Sequence, residues 1–154
     1  MGFDNLFFQD FKKLDFPCNT DMVYVIGVQD DRKGFCPFYV GKSSNVMGRM
    51  GDYTRAHFDL SSLPDFHVGW AIRFFQCANK KVEVKYKPSK DMSQEENEWK
   101  KKLRLALGNK FQLLTETLFQ PFGSEGEEKQ KVRMYCEKFL NALDDHPMAE
   151  AESS

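Results

Sequence analysis

The chain has 154 residues, of which 41% are hydrophobic and 14% aromatic, enough to build the core of one ordinary domain. This composition excludes a disordered tail and a disulfide-stapled miniprotein. With 22 basic and 23 acidic side chains the net charge is −1, so the surface cannot be uniformly basic. Any contact with nucleic acid must therefore be local.

The cysteines and the apolar runs indicate the compartment. The four cysteines, at positions 18, 36, 77 and 136, match neither the spacing of paired zinc ligands nor a secreted disulfide framework. We interpret them as reduced thiols, which favours an intracellular, cytoplasmic location. No apolar run approaches the roughly 20 residues that span a bilayer, and Asp4 lies where a signal peptide would carry Lys or Arg. We therefore expect no membrane partner.

The charges are distributed unevenly along the chain. Residues 73–110 carry a net charge of +6, whereas residues 1–72 carry −2 and residues 111–154 carry −5. Such a division is typical of a basic working surface between acidic flanks. The basic run 100–104 can equally form only the solvated face of a helix.

The first half of the chain predicts a helix, a hairpin and a second helix. Apolar side chains recur at helical spacing over residues 4–14. Met22–Val28 is rich in β-branched residues and predicts a buried strand, and the polar turn 29–34 joins it to a second strand in Phe35–Gly41. Polar residues suited to N-caps then begin a predicted helix over 44–57.

The second half predicts two more strands and two helices. The apolar run Val68–Cys77 predicts a third strand, and 82–86 alternates apolar with charged residues as a half-exposed neighbouring strand would. Helical periodicity predicts a main helix over 93–107 and an amphipathic helix over 125–143, and residues 111–119 continue an apolar pattern. The chain therefore predicts an α+β fold with a small antiparallel sheet of three or four strands, flanked by helices and extended by helices at both ends.

We expect four segments along the chain. An N-terminal helical extension covers 1–20 and the main domain covers 21–120. A C-terminal helix in 121–143 packs on that domain, and the acidic tail 144–154 is expected to be disordered.

One stretch carries a specific set of residues. Tyr24 lies in the first predicted strand, and the sequence YVGKSSNVMGRM runs from Tyr39 through Lys42 and Asn45 to Arg49, eight positions after the glycine. This pattern resembles the GIY-YIG nuclease family, in which a Tyr-Ile-Gly strand end precedes a Lys or Gln, a small hydroxylated residue, an Asn-aliphatic pair and an Arg at those offsets. The first motif departs from the family, because Met-Val-Tyr replaces Gly-Ile-Tyr.

The resemblance implies a metal-dependent endonuclease that hydrolyses phosphodiester bonds in DNA, with RNA as an alternative substrate. It implies that the only metal ligand is Glu96, which would bind Mg²⁺ or Mn²⁺. Cutting a duplex usually takes two sites, which would suit a homodimer. The residues that would be catalytic are Tyr24, Tyr39, Lys42, Arg49, Tyr53 and Glu96, and those that would bind substrate are Ser43, Asn45, Arg55 and Asn109.

Elementary chemistry gives these residue types a role at such a site. The pKa of a tyrosine is ordinarily near 10, which makes it a poor base at neutral pH. A neighbouring Lys42 and a metal-bound water would favour the phenolate of Tyr39. Arginine presents a rigid fork of donors that suits phosphate oxygens. One carboxylate with several waters suits Mg²⁺ better than zinc.

The metal ligand has rivals within its own helix. Glu96 shares a helical stripe with Trp99, whereas Glu98 points away from that stripe, so we prefer Glu96 to Glu95. Ser93 to Glu96 also spells a capping box, in which Glu96 would bond back to the Ser93 amide and hold no metal.

Other functions remain open. Tyr24 and Tyr39 can be ordinary strand aromatics, and Arg49 can be a surface arginine. The fold can also serve a nucleic-acid-binding or inhibitory module that has lost catalysis. A third alternative is a protein-interaction adaptor that uses the Phe-rich N-terminal helix and the helix over 125–143.

Overall fold

The computed structural model describes residues 8, 10–13, 20–57, 63–108, 111–114 and 124–144. Several predictions lie outside these residues. They concern Asn109, most of the predicted N-terminal helix, residues 115–119 of the apolar segment, and the tail from residue 145 onward.

The described residues form an α+β fold with a four-stranded antiparallel sheet in the order β1-β4-β2-β3, and the predicted fold class is confirmed at this level. Three of the strands are those predicted near residues 22–28, 35–41 and 82–86, and the fourth, at residues 12–13, was not predicted. Within these residues no helix has the length and apolar character needed to cross a membrane. The elements in chain order are β1 (Lys12–Lys13), β2 (Met22–Asp30), β3 (Gly34–Ser43), α1 (Val46–Thr54), α2 (Leu63–Cys77), β4 (Lys81–Pro88), α3 (Met92–Leu107) and α4 (Glu125–Asp144).

The hairpin of β2 and β3 forms where the sequence predicts it, with a shorter turn. Asp30 Oδ2 accepts hydrogen bonds from the backbone amides of Arg32 and Lys33, at 3.0 and 2.9 Å, and so closes the turn. Gly34 follows with a φ of 78°, a left-handed conformation that favours glycine. The polar residues at both ends of the predicted turn 29–34 therefore belong to the strands.

The predicted N-terminal helix is wrong at its C-terminal end. Lys12 and Lys13 form β1, which pairs with β4 opposite Tyr86 and Lys85. The ring of Phe8 stacks on Trp99 of α3 with centroids 5.6 Å apart, and Phe11 meets Trp99 edge-on at 5.0 Å. Their apolar spacing therefore serves docking on Trp99, and the chain then turns to extend the sheet.

The predicted strand Val68–Cys77 is also wrong, because this segment belongs to α2. Val68, Ala71 and Phe75 are fully buried, and their spacing of three and four residues is that of one helical face. The aromatic residues between them made the run look continuously apolar. The helix packs closely on α1, since a Cβ at Gly69 would collide with the backbone carbonyl of Tyr53.

The other helices and β4 confirm the predictions within two or three residues at each end. Helix α3 and Phe8 cover one face of the sheet, where Phe8 also meets Phe35 of β3. On the other face Phe38 contacts Phe75 of α2 and Phe139 of α4. The sheet therefore lies between α3 on one side and the other three helices on the other.

Candidate functional site

The candidate site lies at the open end of the hairpin, where β2 begins and β3 ends. Tyr24 pairs with Gly41, and Ile26 pairs with Tyr39. Cross-strand partners share a face, so both tyrosines project from the same side of the sheet. Their ring centroids are 6.3 Å apart. The sequence therefore places this pair correctly on the hairpin.

Tyr53 from α1 completes a cluster of three tyrosines. Its hydroxyl lies 2.5 Å from that of Tyr24, and its ring meets Tyr39 edge-on at 6.1 Å. We call Tyr24, Tyr39 and Tyr53 the tyrosine cluster. It joins the first helix to the hairpin by a buried hydrogen bond.

Ser43 and Asn45 start the helix that carries Tyr53. Asn45 is the N-cap of α1, and its Oδ1 accepts a hydrogen bond from the Gly48 amide at 3.0 Å. Ser43 Oγ accepts one from the Asn45 amide at 2.9 Å. Both residues were predicted to bind substrate, and in the structure each has a local role in turning the strand into the helix.

The tyrosine cluster is buried, and burial determines its ionisation. Tyr24 is 1% exposed, Tyr39 9% and Tyr53 0%. Loss of hydration raises the pKa of each phenol well above its ordinary value, and the charge of a neighbouring tyrosine raises it further. Burial therefore opposes the phenolate of Tyr39, and the expectation that a metal-bound water favours it stays a prediction.

Arg49 is the cation beside this cluster, and its charge lowers the pKa of all three phenols against the effect of burial. Its guanidinium carbon lies 4.9 Å from the centre of the Tyr53 ring. Its side chain is 29% exposed, so it reaches from the buried rings to solvent. The hydrogen bond to Asp65 raises the pKa of Arg49 further above its ordinary value.

Two carboxylates hold the guanidinium of Arg49. Its Nη2 donates to Asp65 Oδ1 at 2.5 Å, and its Nη1 donates to Asp52 Oδ2 at 3.4 Å. Asp65 lies in the first turn of α2 and is not among the predicted site residues. An acidic residue in the first turn is a common sequence signal of a helix N-terminus. The signal does not stand out here, because the residues that follow Asp65 are predicted to form a strand.

Lys42 lies on the opposite side of β3 from Tyr39 and Gly41 and contacts α3. Its Nζ donates to Ser93 Oγ at 2.7 Å and lies 3.9 Å from Glu96 Oε1. The prediction that Lys42 supplies the positive field at Tyr39 is therefore wrong, because its ammonium is held at α3.

Glu96 lies between two lysines. Its Oε2 is 3.9 Å from Lys100 Nζ, in addition to the contact with Lys42, and its side chain is 15% exposed. Its negative charge is a minor contribution that raises the pKa of Tyr24 and Tyr39. Because α3 covers the other face of the sheet, Glu96 and the tyrosine cluster lie on opposite faces at the same end of the hairpin.

The capping-box alternative for Glu96 is wrong. Helix α3 begins at Met92, one residue before the predicted start, and its N-cap is Asp91, whose Oδ1 accepts from the Gln94 amide at 3.2 Å. Ser93 therefore lies inside the helix, and its hydroxyl binds Lys42. Glu96 is left to face β3.

The neighbouring glutamates have other partners. Glu95 Oε2 lies 2.6 Å from Lys87 Nζ of β4, and Glu98 Oε2 accepts from Gln94 Nε2 at 3.1 Å. Each of the three glutamates thus has its own partners, and the choice of Glu96 as metal ligand stays a prediction. Arg55 is 71% exposed and pairs with Asp52 on the outer side of α1, so it adjoins Arg49 only through that carboxylate.

Whether a metal fits depends on the donors around Glu96. In the part of the chain that the structure describes, no group of three or more His, Cys, Asp or Glu side chains could hold a metal ion. Both lysine contacts of Glu96, at 3.9 Å, are longer than a hydrogen bond but within ion-pair distance, so a cation bound by this carboxylate would have to displace the two ammonium groups. A single carboxylate fits Mg²⁺, which commonly keeps several waters and takes further ligands from substrate phosphate.

Comparison of the chain with models of protein families, with curated proteins and with solved structures gives no match. The function of the protein is therefore inferred from the residues and geometry of the site.

Proposed function

We propose that this protein is a metal-dependent endonuclease that hydrolyses phosphodiester bonds in DNA. The observation that carries this proposal is that the guanidinium carbon of Arg49 lies 4.9 Å from the centre of the Tyr53 ring, and the hydroxyl of Tyr53 lies 2.5 Å from that of Tyr24. Tyr39 packs edge-on against the same ring, and Glu96 of α3 lies at the same end of the hairpin, 3.9 Å from Lys42. Ordinary strand aromatics need no arginine beside them. The residues that carry the resemblance to GIY-YIG nucleases are Tyr24, Tyr39, Arg49 and Glu96.

Arg49 would bind the scissile phosphate. A guanidinium has five N–H donors, and in the described part of the chain Asp65 and Asp52 each accept from one of them. The remaining donors suit the nonbridging oxygens of a phosphate. A fixed cation at this point would stabilise the charge that develops on the pentavalent phosphorus.

The tyrosine cluster would act through neutral hydroxyls. Because burial raises the pKa of each phenol, none removes a proton from water at neutral pH in the protein as described. A neutral phenol donates a hydrogen bond, either to a phosphate oxygen or to the attacking water. Tyr39 is the most exposed of the three and is the best placed to do so.

Glu96 would hold the metal, and Mg²⁺ bound there would lower the pKa of a bound water and neutralise phosphate charge. Lys100 would then be free to turn from Glu96 to the phosphates, while Lys42 keeps its hydrogen bond to Ser93.

The distribution of charge favours a polyanionic substrate. Residues 73–110, which include β4 and α3, carry a net charge of +6. DNA is the substrate that we propose, with RNA as the alternative, and we expect a homodimer where both strands are cut. In the described part of the chain Cys36, Cys77 and Cys136 form no disulfide, which suits a protein that acts inside the cell.

The proposal is tested by incubating the purified protein with supercoiled plasmid, branched DNA and RNA, each with Mg²⁺, Mn²⁺ or chelator. We expect nicked or linear plasmid, or resolved branches, with metal and none with chelator. Arg49→Ala protein, prepared in parallel, controls for a contaminating nuclease. Cleavage of RNA alone would mean that RNA, and not DNA, is the substrate. No cleavage under any condition would contradict the proposed nuclease activity.

A binding or inhibitory module is the second candidate, and the internal pairing of the site favours it. Arg49 is bound to Asp65, Glu96 lies between two lysines, and two members of the tyrosine cluster, Tyr24 and Tyr53, are at most 1% exposed. Such a module would bind DNA with an affinity that falls steeply with salt and would cut nothing with any metal.

A further inference from the structure

We infer that Asp65 is a positioning residue for Arg49, which it holds in the orientation that binds the scissile phosphate. The inference rests on the proposed function and adds a residue outside the motif that suggested it. Asp65 Oδ1 lies 2.5 Å from Arg49 Nη2, the closest ion pair of the site.

The contacts of Arg49 fix two aspects of its guanidinium. The ring of Tyr53 lies 4.9 Å from its guanidinium carbon, which fixes where the group sits on the tyrosine cluster. Asp65 binds Nη2, which fixes the direction of one of its two amino groups. A planar group held at these two points presents its remaining donors in a restricted range of directions, as recognition of a tetrahedral phosphate requires.

Asp65 is itself fixed, because α2 is docked rigidly on the end of α1. Arg73 of α2 donates to the backbone carbonyls of Thr54 and Ala56, at 2.8 and 3.3 Å. The contact between Gly69 and the Tyr53 carbonyl leaves no room for a side chain. A carboxylate on such a helix can hold the arginine of α1 at a constant position.

The other carboxylate that binds Arg49, that of Asp52, differs from Asp65 in its helix, its distance to Arg49 and its exposure. Asp52 lies on the same helix as Arg49, its contact is longer at 3.4 Å, and its side chain is 50% exposed against 19% for Asp65. It also binds Arg55. Asp52 is therefore a matched control, since its removal deletes a carboxylate beside Arg49 without freeing the guanidinium from α2.

The experiment compares Asp65→Asn, Asp65→Glu and Asp52→Asn, with and without Arg49→Ala. Single-turnover cleavage with Mg²⁺ and binding of uncut DNA with chelator are measured separately. We expect Asp65→Asn to slow cleavage about 100-fold, with a smaller loss of affinity, and Asp52→Asn to change it about threefold at most. Asp65→Glu keeps the negative charge but shifts its position, so its cleavage rate should lie between those of Asp65→Asn and Asp52→Asn. In the Arg49→Ala background Asp65→Asn should have no further effect, which a merely structural role would not produce.

Several results would overturn the inference. Faster cleavage or tighter binding by Asp65→Asn would show that Asp65 competes with phosphate, and an equal loss in the Arg49→Ala background would show a role independent of Arg49. If the wild-type protein does not cleave, the proposed nuclease function fails, and the binding arm still decides the role of Asp65. Asp65→Asn must then weaken binding of uncut DNA with Arg49 present and leave it unchanged with Arg49 absent. Circular dichroism of each variant identifies any that fails to fold, and Asp65→Glu then carries the comparison.

Discussion

The phenol of Tyr24 lies directly over Gly41, so close that a Cβ at position 41 would overlap the ring and its hydroxyl. The two residues are register partners on β2 and β3. The glycine that ends the Tyr-Val-Gly sequence is therefore required by a tyrosine on the neighbouring strand. It lets the ring cross the hairpin and reach Tyr53 of α1.

Gly41→Ala should destabilise the protein and displace Tyr24. Overpacking a well-packed site typically costs about 1 to 3 kcal/mol, and denaturant unfolding measures this loss. Gly126→Ala is the matched control, because a Cβ there meets nothing within 4 Å and alanine favours the helix. Equal stability of Gly41→Ala and wild type would mean that the ring moves aside without cost.

Arg49→Ala should remove most cleavage and leave the fold intact. The lost cation would cost about 100- to 1,000-fold in rate, whereas a partly exposed surface arginine contributes little to stability. Arg133→Ala is the control, since Arg133 is an arginine that pairs with Glu137 on α4 and has no predicted role in the site. Single-turnover cleavage and thermal unfolding of both variants make the test. A folded Arg49→Ala protein with unchanged turnover would mean that Arg49 has no role in cleavage.

The tyrosine cluster should make stability depend on alkaline pH. The pKa of each phenol is higher in the folded protein than in the unfolded chain, so above about pH 10 the unfolded chain holds fewer protons than the folded protein. The contribution to stability is therefore complete below pH 10 and is lost as pH rises beyond it. Urea unfolding between pH 7 and 11 measures the slope. Tyr53→Phe should reduce that slope, and an unchanged slope would exclude ionisation of Tyr53 as its source.

The sequence predicted the fold where its periodicity was simple. The alternation in β4 and the stripes of α3 and α4 each had one interpretation. Val68–Cys77 did not, because the half-buried Trp70 and Phe74 interrupt the helical pattern of fully buried residues with further apolar side chains. The two-residue strand β1 carries no periodic signal, and only its partner in the sheet defines it.

The site could be predicted in part for a related reason. Tyr39, Lys42 and Arg49 lie close in sequence, so fixed offsets specify them. Asp65 could not be found in this way, since it meets Arg49 only when α2 packs on α1. Ionisation also depends on packing, because burial of the tyrosine cluster outweighs the positive charge of Arg49.

The buried pair of His67 and Glu128 should fasten α4 to α2. His67 Nε2 lies 2.6 Å from Glu128 Oε1, and the two side chains are 4% and 0% exposed. Glu128 also keeps Lys131 Nζ at 3.3 Å from its other oxygen, so removing His67 leaves one carboxylate oxygen without its partner. His67→Ala should therefore lower the free energy of unfolding by about 2 to 3 kcal/mol, toward the upper end of the cost of leaving a buried polar atom without its hydrogen bond. Arg133→Ala, which breaks the exposed pair with Glu137 on the same helix, should cost about 1 kcal/mol or less. Similar losses in the two variants would contradict a structural role for the buried pair.

The last prediction concerns the proposed metal ligand. Glu96→Gln keeps the shape of the side chain and removes its charge, so folding should be nearly unchanged. If Glu96 binds Mg²⁺, the substitution should abolish cleavage and weaken metal binding measured by calorimetry. Glu95→Gln and Glu98→Gln are matched controls, because their carboxylates face Lys87 and Gln94, and both variants should remain active. An inactive Glu95→Gln beside an active Glu96→Gln would move the ligand by one residue. Three active variants would mean that the metal, if cleavage needs one, is not held by this helix.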